Sequence, residues 1–211
     1  MTIYLHDGDL PDHVKFSDTV AIDCETLGLN PHRDRLCLIQ ISNGDGDAHL
    51  IKVKPKHNNM DSIKMSLAPN LCSMLLNKNI TKLFHFARFD VAILYSHYRV
   101  LTAPIFCTKI ASKLVRTYTD KHGLKNLVQE ILDIDISKRQ QSSDWGSENL
   151  SESQKEYAAS DVLYLHKLQE NLEKRLEREK RMGLAESCFS FLPERSKLDI
   201  EGWKDEDIFS H

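Results

Sequence analysis

The chain has 211 residues, of which 41% are hydrophobic and 28% are charged. This length suits one domain with its own core or one domain plus an appendage, and the composition excludes disordered, collagen-like, disulfide-scaffold and membrane-spanning chains. With 31 acidic and 28 basic residues the formal net charge is −3, so a nucleic-acid ligand must be held by a local surface and not by a global basic field.

The five cysteines are scattered and include no C-x-x-C pair. This pattern predicts buried thiols in a reducing compartment and no disulfide framework. Residues 1–15 contain histidines and aspartates where a signal peptide needs a basic start followed by an apolar run. We therefore expect a cytoplasmic protein with no membrane partner.

The first part of the chain predicts a small antiparallel meander. Three runs rich in strand-forming residues cover 19–24, 35–42 and 49–53. The second and third runs are separated by Asn-Gly-Asp-Gly at 43–46, which is typical of a hairpin connection. The polar stretch 54–66 that follows gives no indication of a function.

After this meander, helices and strands alternate. The predicted strands cover 81–86 and 104–107, and the predicted helices cover 67–76, 88–98, 108–118 and 123–132. This alternation indicates an α/β protein whose sheet carries helices on its faces.

The longest periodic segment begins at Ser151, where Ser-Glu-Ser-Gln has the form of a capping box. Apolar residues then recur at spacings of three and four and form one stripe: Val162, Leu165, Leu168, Leu172 and Leu176. We predict one long helix whose stripe faces the core.

Acidic residues in three distant segments are the candidate catalytic groups. Asp23 and Glu25 lie two residues apart at the end of a strand, so both side chains point to the same side, where they suit a divalent cation. Asp90 lies in the first turn of a helix, where the helix dipole alone would favour it. Tyr157 and Asp161 share one helix face, although they would also fit a surface pair. Together the four carboxylates offer the oxygen ligands that two magnesium ions need around a phosphate.

The residue between the first two acids is Cys24. Strand alternation predicts that its side chain points away from the carboxylates. We therefore expect no direct part for this thiol in the site.

The order of these motifs, D-x-E on a strand, then Asp at a helix start, then Y-x-x-x-D on a late helix, resembles the DEDD superfamily of 3′-to-5′ exonucleases in its tyrosine subgroup. The runs 31–37, 106–114 and 140–145 resemble the ribonuclease D branch, and more narrowly the small nanoRNase C enzymes of bacteria. The resemblance covers nearly the whole chain. It implies a ribonuclease-H-like α/β fold with a mixed central sheet flanked by helices.

The resemblance also implies an activity and the residues that carry it. The protein would be a metal-dependent exoribonuclease that degrades short single-stranded RNA, preferably dinucleotides, and releases nucleoside 5′-monophosphates. Asp23, Glu25, Asp90 and Asp161 would bind two divalent ions, Mg²⁺ or Mn²⁺. Tyr157 would orient the attacking water.

Four further residues are candidate substrate contacts. Leu29 matches the position where the resemblance implies an apolar wedge between bases, although it would also fit an ordinary turn. His85 and Phe86 lie beside the predicted site, but Phe86 would equally fit the core. Trp145 follows the basic and polar run 138–141 and suits base stacking, with packing for stability as the alternative. One further series of basic residues would form a local basic face, although solvated side chains on a helix would also explain it: Lys109, Lys113, Arg116 and Lys121.

We predict an exonuclease domain over residues 1–180 and a C-terminal extension over 181–211. The helical HRDC-type modules of ribonuclease D are not expected after Asp161, which favours small substrates. The extension is too apolar for a free tail, so it must pack on the domain or on a neighbouring subunit. The resemblance implies a ring-shaped homo-oligomer, possibly an octamer.

Two alternatives stay open at this point. The chain could be a broader ribonuclease-D-like exonuclease that trims structured RNA ends or DNA, because the catalytic centre attacks a phosphodiester and need not contact the 2′-hydroxyl. It could also be a catalytically silent nucleic-acid-binding scaffold, although binding alone does not require the five motif residues together.

Overall fold

The computed structural model describes residues 1–54, 65–137, 140 and 142–211. Its strands are β1 (Ile3–Asp7), β2 (Thr19–Thr26), β3 (Leu36–Ser42), β4 (Ala48–Lys52), β5 (Thr81–Phe84) and β6 (Ile105–Cys107). A short 3₁₀ turn covers Met65–Leu67. The α-helices are α1 (Pro69–Leu76), α2 (Ala87–Tyr98), α3 (Thr108–Val115), α4 (Leu124–Leu132), α5 (Glu152–Leu163), α6 (Leu165–Arg178) and α7 (Met182–Glu201). Most of the 54–66 stretch lies outside the described residues.

The strands form one mixed sheet in the order β1-β4-β3-β2-β5-β6. The pairs β2–β3 and β3–β4 are antiparallel, so the predicted meander and the predicted α/β fold are confirmed. Gly44 and Gly46 in the hairpin connection both have positive φ angles, which only glycine adopts easily. Strand β1 was not predicted, because its short sequence IYLHD runs directly into charged residues. It pairs in parallel with β4 at the edge of the sheet.

Strand β2 extends well beyond its neighbour β5. Only Thr19–Ala21 pair with β5, at residues 81–83, while β2 continues to Thr26. The chain leaves β5 at Phe84 and turns into α2. The second half of β2, including Asp23 and Glu25, therefore borders an open space at the end of β5.

The predicted long helix is two helices. Ser151 forms the predicted capping box with Gln154 at the start of α5. The chain then bends at Tyr164, so the single-helix prediction is wrong at this point. Helix α5 packs across strands β1–β4, whereas α6 packs against β2, β5, α3 and α4. The predicted stripe is buried, with Val162 at the end of α5 and its four leucines in α6.

Most of the C-terminal extension is helix α7, which packs along α2 of the same chain. Phe189 is buried and its ring lies 4.7 Å from that of Phe106 on β6. Residues 203–211 after this helix are exposed. The sequence predicted the packing of an apolar segment but not its helical form.

All five cysteines are free, and four of them are buried. This agrees with the prediction of buried thiols. Among the described residues, no helix is both long and apolar enough to cross a membrane.

Candidate active site

Three of the predicted carboxylates converge at the end of β2. Asp23 and Glu25 alternate onto one sheet face, and Glu25 is the cross-strand partner of Leu38. Leu38 packs in one cluster with Ala158 of α5, so this helix brings Asp161 to the same face. One carboxylate oxygen each from Asp23, Glu25 and Asp161 lies within 4.8 Å of the others.

Asp90 reaches these carboxylates from α2, which starts three residues after β5 ends. Its side chain is buried, and its charge acts on both Asp23 and Glu25. Within β2, Cys24 alternates away from Asp23 and Glu25, and its thiol hydrogen-bonds the Asp90 carboxyl group, which arrives from α2. Alternation separates neighbours along one strand, but it does not constrain a side chain that arrives from a helix.

Burial and mutual repulsion keep this cluster from holding its full negative charge. Burial, followed by the charges of Asp23, Asp161 and Asp90, raises the pKa of Glu25 to about 10. Burial raises the pKa of Asp23 to about 7 and that of Asp90 well above its ordinary value. A divalent cation stabilises the ionised form of such a group, and hard oxygen ligands suit Mg²⁺ or Mn²⁺. The residues present therefore fit a divalent metal.

Tyr157 lies one helical turn before Asp161 on α5. Its hydroxyl hydrogen-bonds the Asp161 carboxylate. Burial and the neighbouring carboxylates raise the pKa of this phenol, so the hydroxyl keeps its proton at neutral pH. The ring lies 6.0 Å from that of Trp145.

The carboxylates lie in a cleft with a volume of about 850 Å³. Such a volume is typical of sites for small organic ligands. Besides the carboxylates, the lining includes Leu27, Leu29, His85, Phe86, Phe89, Lys109, Lys125, Asp144, Trp145 and Tyr157. Thus all nine predicted site residues line one cleft.

Residues 27–35 between β2 and β3, which we call the cleft loop, form one wall. Leu29 is 77% exposed and Leu27 is also exposed. Two apolar side chains are thus presented to the cleft, and Leu27 was missed although it lies two positions from Leu29. A Cβ atom on Gly28 would lie 2.3 Å from the Asp34 carboxylate, so the loop needs glycine there.

Phe86 forms part of the opposite wall. It is 45% exposed and has a φ angle of +73°, so it is not the core phenylalanine of the alternative prediction. The Lys109 ammonium lies 4.0 Å from the centre of its ring. This pair offers a cation and an aromatic face to the cleft.

His85 is held by the protein itself. Its Nδ1 lies 2.9 Å from the Thr108 hydroxyl, and the ring also hydrogen-bonds the backbone of His122. Burial lowers the pKa of His85 to about 3, so the ring is neutral. The polar atoms of the ring thus bind α3 and the α3–α4 connection. Only the face of the ring is then available to a substrate.

Trp145 is only 4% exposed and packs with Leu38 and Ala158. This burial fits the alternative prediction, in which the Trp145 ring packs for stability. Residues 138, 139 and 141 of the preceding basic run lie outside the described residues.

The predicted basic face is incomplete. Arg116 is buried and its guanidinium pairs with Glu130, so it cannot contribute to a surface. Lys109 lines the cleft, as does Lys125, which the sequence analysis missed. Lys125 lies near the start of α4, and neither spacing nor charge patterning singles it out.

Comparison with known proteins identifies the family. A family model of 3′-5′ exonuclease domains matches residues 9–177. Ribonuclease D of Bartonella henselae is 31% identical over 191 residues, which are 89% of this chain and 45% of that protein. The chain spans less than half the length of such curated relatives.

Solved structures match over the whole chain. Brucella melitensis NrnC with bound Mg²⁺ is 56% identical, with a TM-score of 0.90 and coverage of 100% of both chains. Brucella melitensis NrnC bound to pGG is also 56% identical, with a TM-score of 0.91 and coverage of 100% of this chain and 99% of that one.

This chain therefore belongs to the 3′-5′ exonuclease family. Within it the chain is similar over its full length to NrnC, and the predicted resemblance to ribonuclease-D-like enzymes close to NrnC is confirmed. The ribonuclease-H-like fold predicted from the motifs is confirmed as well.

Proposed function

We propose that this protein is a metal-dependent 3′-to-5′ exoribonuclease that degrades short oligoribonucleotides, dinucleotides above all, to nucleoside 5′-monophosphates. One observation carries the proposal. The carboxylates of Asp23, Glu25 and Asp161 converge, with the Tyr157 hydroxyl beside them, in a cleft of limited volume. This combines a phosphodiester-hydrolysing centre with room for a small substrate.

Asp23, Glu25, Asp90 and Asp161 would hold two divalent ions, Mg²⁺ or Mn²⁺. When bound, such ions supply a hydroxide from water and stabilise negative charge on the phosphate under attack. The oxygen-only ligand set and the raised pKa values of Asp23, Glu25 and Asp90 support this assignment. So does the Mg²⁺ bound by the similar Brucella protein.

Tyr157 would orient the attacking water. Its raised pKa keeps the hydroxyl protonated, and its hydrogen bond to Asp161 fixes the hydroxyl beside the carboxylates. A phenol held in this way can position a water molecule in line with the scissile bond.

The walls of the cleft support a short substrate. Leu29 and Phe86 are exposed apolar side chains beside the carboxylates, and aromatic and apolar faces bind bases without regard to sequence. Lys109 supplies local positive charge in a chain whose net charge is −3, whereas the Lys125 ammonium pairs with Asp135 at 2.7 Å. In standard notation pGG, the ligand of the similar Brucella protein, is a pair of guanosine nucleotides with a 5′-phosphate.

We further propose a cytoplasmic homo-oligomer, with the octamer that the family resemblance implies as its specific form. Free cysteines are typical of a reducing compartment. Trp203, Ile208 and Phe209 are exposed apolar side chains after α7 and are candidates for contact with a second subunit.

The test is a length series. The purified protein is incubated with Mg²⁺ or Mn²⁺ and 5′-labelled RNAs of two, three, seven and about twenty nucleotides. We expect rapid loss of the dinucleotide, slow loss of the longest RNA, and no activity in Asp23→Ala. Equal trimming of every length would instead favour a broader ribonuclease-D-like enzyme. Unchanged turnover in Asp23→Ala would contradict the assigned catalytic centre.

A further inference from the structure

A charged cluster centred on one buried carboxylate contacts the cleft loop. Asp199, in the last turn of α7, is 5% exposed. Its carboxylate accepts hydrogen bonds from Arg88 Nε at 2.6 Å and Arg88 Nη2 at 2.7 Å, and from Arg195 Nη2 at 2.7 Å. One buried carboxylate therefore joins α2 to α7.

Both guanidinium groups also hold the chain after α7. Arg88 donates to the backbone carbonyl of Lys204 at 2.7 Å, and Arg195 donates to that of Trp203 at 2.6 Å. Both carbonyls belong to the exposed C-terminal segment 203–211. The cluster thus fixes the position of Lys204.

The same elements contact the cleft loop. The Lys204 ammonium donates to the Leu29 carbonyl at 3.5 Å, and the His32 ring lies 3.4 Å from the Asp199 carbonyl. In addition, Ser96 of α2 donates to the Pro31 carbonyl at 2.8 Å. The backbone of Leu29 is thereby tied to the chain that follows α7.

Arg88 connects this cluster to the other wall of the cleft. It lies in the first turn of α2, two residues after Phe86 and two before Asp90. A shift of the cluster would therefore change the distance between the cleft loop and the start of α2. These are the two elements that present apolar side chains to a bound base.

We propose that Asp199 is a positioning residue for substrate, which through Arg88 and Lys204 sets the cleft loop at the distance from α2 that suits the bases of a short RNA. This rests on the proposed function. A buried ion cluster is weak evidence for stability in itself, and its better-attested role is to specify one geometry. A cluster that only attached α7 to the domain would affect unfolding without affecting substrate affinity.

The experiment compares two substrates in three variants. Asp199→Asn keeps the size of the side chain and removes its charge. Lys204→Met keeps the aliphatic length and removes only the ammonium, so it leaves no unpaired buried charge. Lys197→Ala is the control. It breaks an exposed ion pair on the same helix, in which the Lys197 ammonium lies 3.9 Å from the Glu201 carboxylate, and it does not affect the cleft loop.

The first substrate is an RNA dinucleotide and the second is the p-nitrophenyl ester of thymidine 5′-monophosphate, which has no second base. For Asp199→Asn we expect KM for the dinucleotide to rise about tenfold, with kcat close to wild type. Lys204→Met should show a smaller rise in the same direction. We expect wild-type kcat/KM on the ester in both variants and on both substrates in the control.

An unchanged KM for the dinucleotide in a folded Asp199→Asn protein would overturn the proposal. So would an equal loss on both substrates, which would indicate a general effect on the catalytic centre. If a thermal melt shows that Asp199→Asn is unfolded, an unchanged KM in Lys204→Met overturns it. If wild type cleaves the seven-nucleotide RNA but not the dinucleotide, the proposed substrate is wrong, and the same KM comparison on that longer RNA still tests the positioning.

Discussion

At the scale of single residues, the environment of each carboxylate decides its chemistry. In the sequence the helix dipole alone would account for Asp90, and Asp161 would also fit a surface pair with Tyr157. Burial and the repulsion of neighbouring carboxylates raise the pKa of Glu25 to about 10, and burial raises that of Asp23 to about 7. Such a concentration of unfavourable negative charge in a cleft is typical of a functional site.

Replacing Tyr157 with phenylalanine tests the proposed role of its hydroxyl. The change keeps the ring beside Trp145 and removes the hydrogen bond to Asp161. We expect kcat at saturating Mn²⁺ to fall about 100-fold, as for loss of a group that positions a reacting water molecule. The melting temperature should change little, because the packing of the ring is retained.

Tyr4→Phe is the matched control, since Tyr4 lies on the edge strand β1 and is partly exposed. It should keep wild-type turnover. A Tyr157→Phe protein that retained full activity would show that the hydroxyl has no part in the reaction.

At the scale of secondary-structure elements, the connection of α3 with α4 depends on one ion pair. The Arg116 side chain is buried, its Nε donates to Glu130 Oε1 at 2.9 Å, and Tyr118 donates to the same carboxylate. These groups lower the pKa of Glu130 to about 2. The pair holds the segment that carries His122, which in turn bonds the ring of His85 in the cleft.

This ion pair should make the stability of the protein depend on pH in the acidic range. The folded carboxylate stays charged where the unfolded one, with an ordinary pKa near 4.5, takes up a proton. The contribution of Glu130 to the free energy of unfolding is therefore complete above about pH 5 and is lost as the pH falls toward 2. Because the Glu130 side chain is 40% exposed, solvent screening limits the contribution to about 1 kcal/mol.

Urea denaturation at several pH values from 7 to about 3 gives the free energy of unfolding of wild type and of Glu130→Gln. The difference between the two proteins should shrink as the pH is lowered. Glu177→Gln, at an exposed position on α6, should show no such trend. A difference that stays constant with pH would mean that the charge of Glu130 is not what stabilises the connection.

At the scale of the whole molecule, helix α7 completes the fold. It packs along α2, which carries Asp90, and against β6. The Asp199 cluster at its far end then reaches the cleft loop. The C-terminal extension thus contacts the core through helix α7 and a wall of the cleft through the Asp199 cluster.

Phe189→Ala should test whether α7 unfolds together with the rest of the chain. The ring is buried against Phe106, so its loss should lower the free energy of unfolding by about 3–5 kcal/mol. Leu184→Ala removes an exposed side chain on the same helix and should change the free energy of unfolding by no more than about 0.5 kcal/mol. Urea denaturation followed by circular dichroism distinguishes the two variants.

We expect a single transition in both variants. A separate early transition in Phe189→Ala would show that α7 is an independently unfolding appendage. Equal effects of the two substitutions would contradict the packing of α7 on β6.

The class of fold and the acidic candidate residues could be predicted from local sequence patterns. Alternating strands and helices have distinct apolar periods, so the meander and most helix positions followed from local patterns. The D-x-E and Y-x-x-x-D spacings also act locally, because strand and helix geometry place each pair on one face. The order of the motifs along the chain then indicated the exonuclease family.

Which side chains are exposed in the cleft and which support it depends on packing between distant segments. Phe86 is presented to the cleft while Trp145 is buried, although both were equal candidates from their sequence. The link from Asp199 to Leu29 spans 170 positions of the chain, and no local pattern encodes it. Such contacts depend on how α2, α7 and the cleft loop pack together, because packing brings together residues whose spacing in the sequence carries no periodic signal.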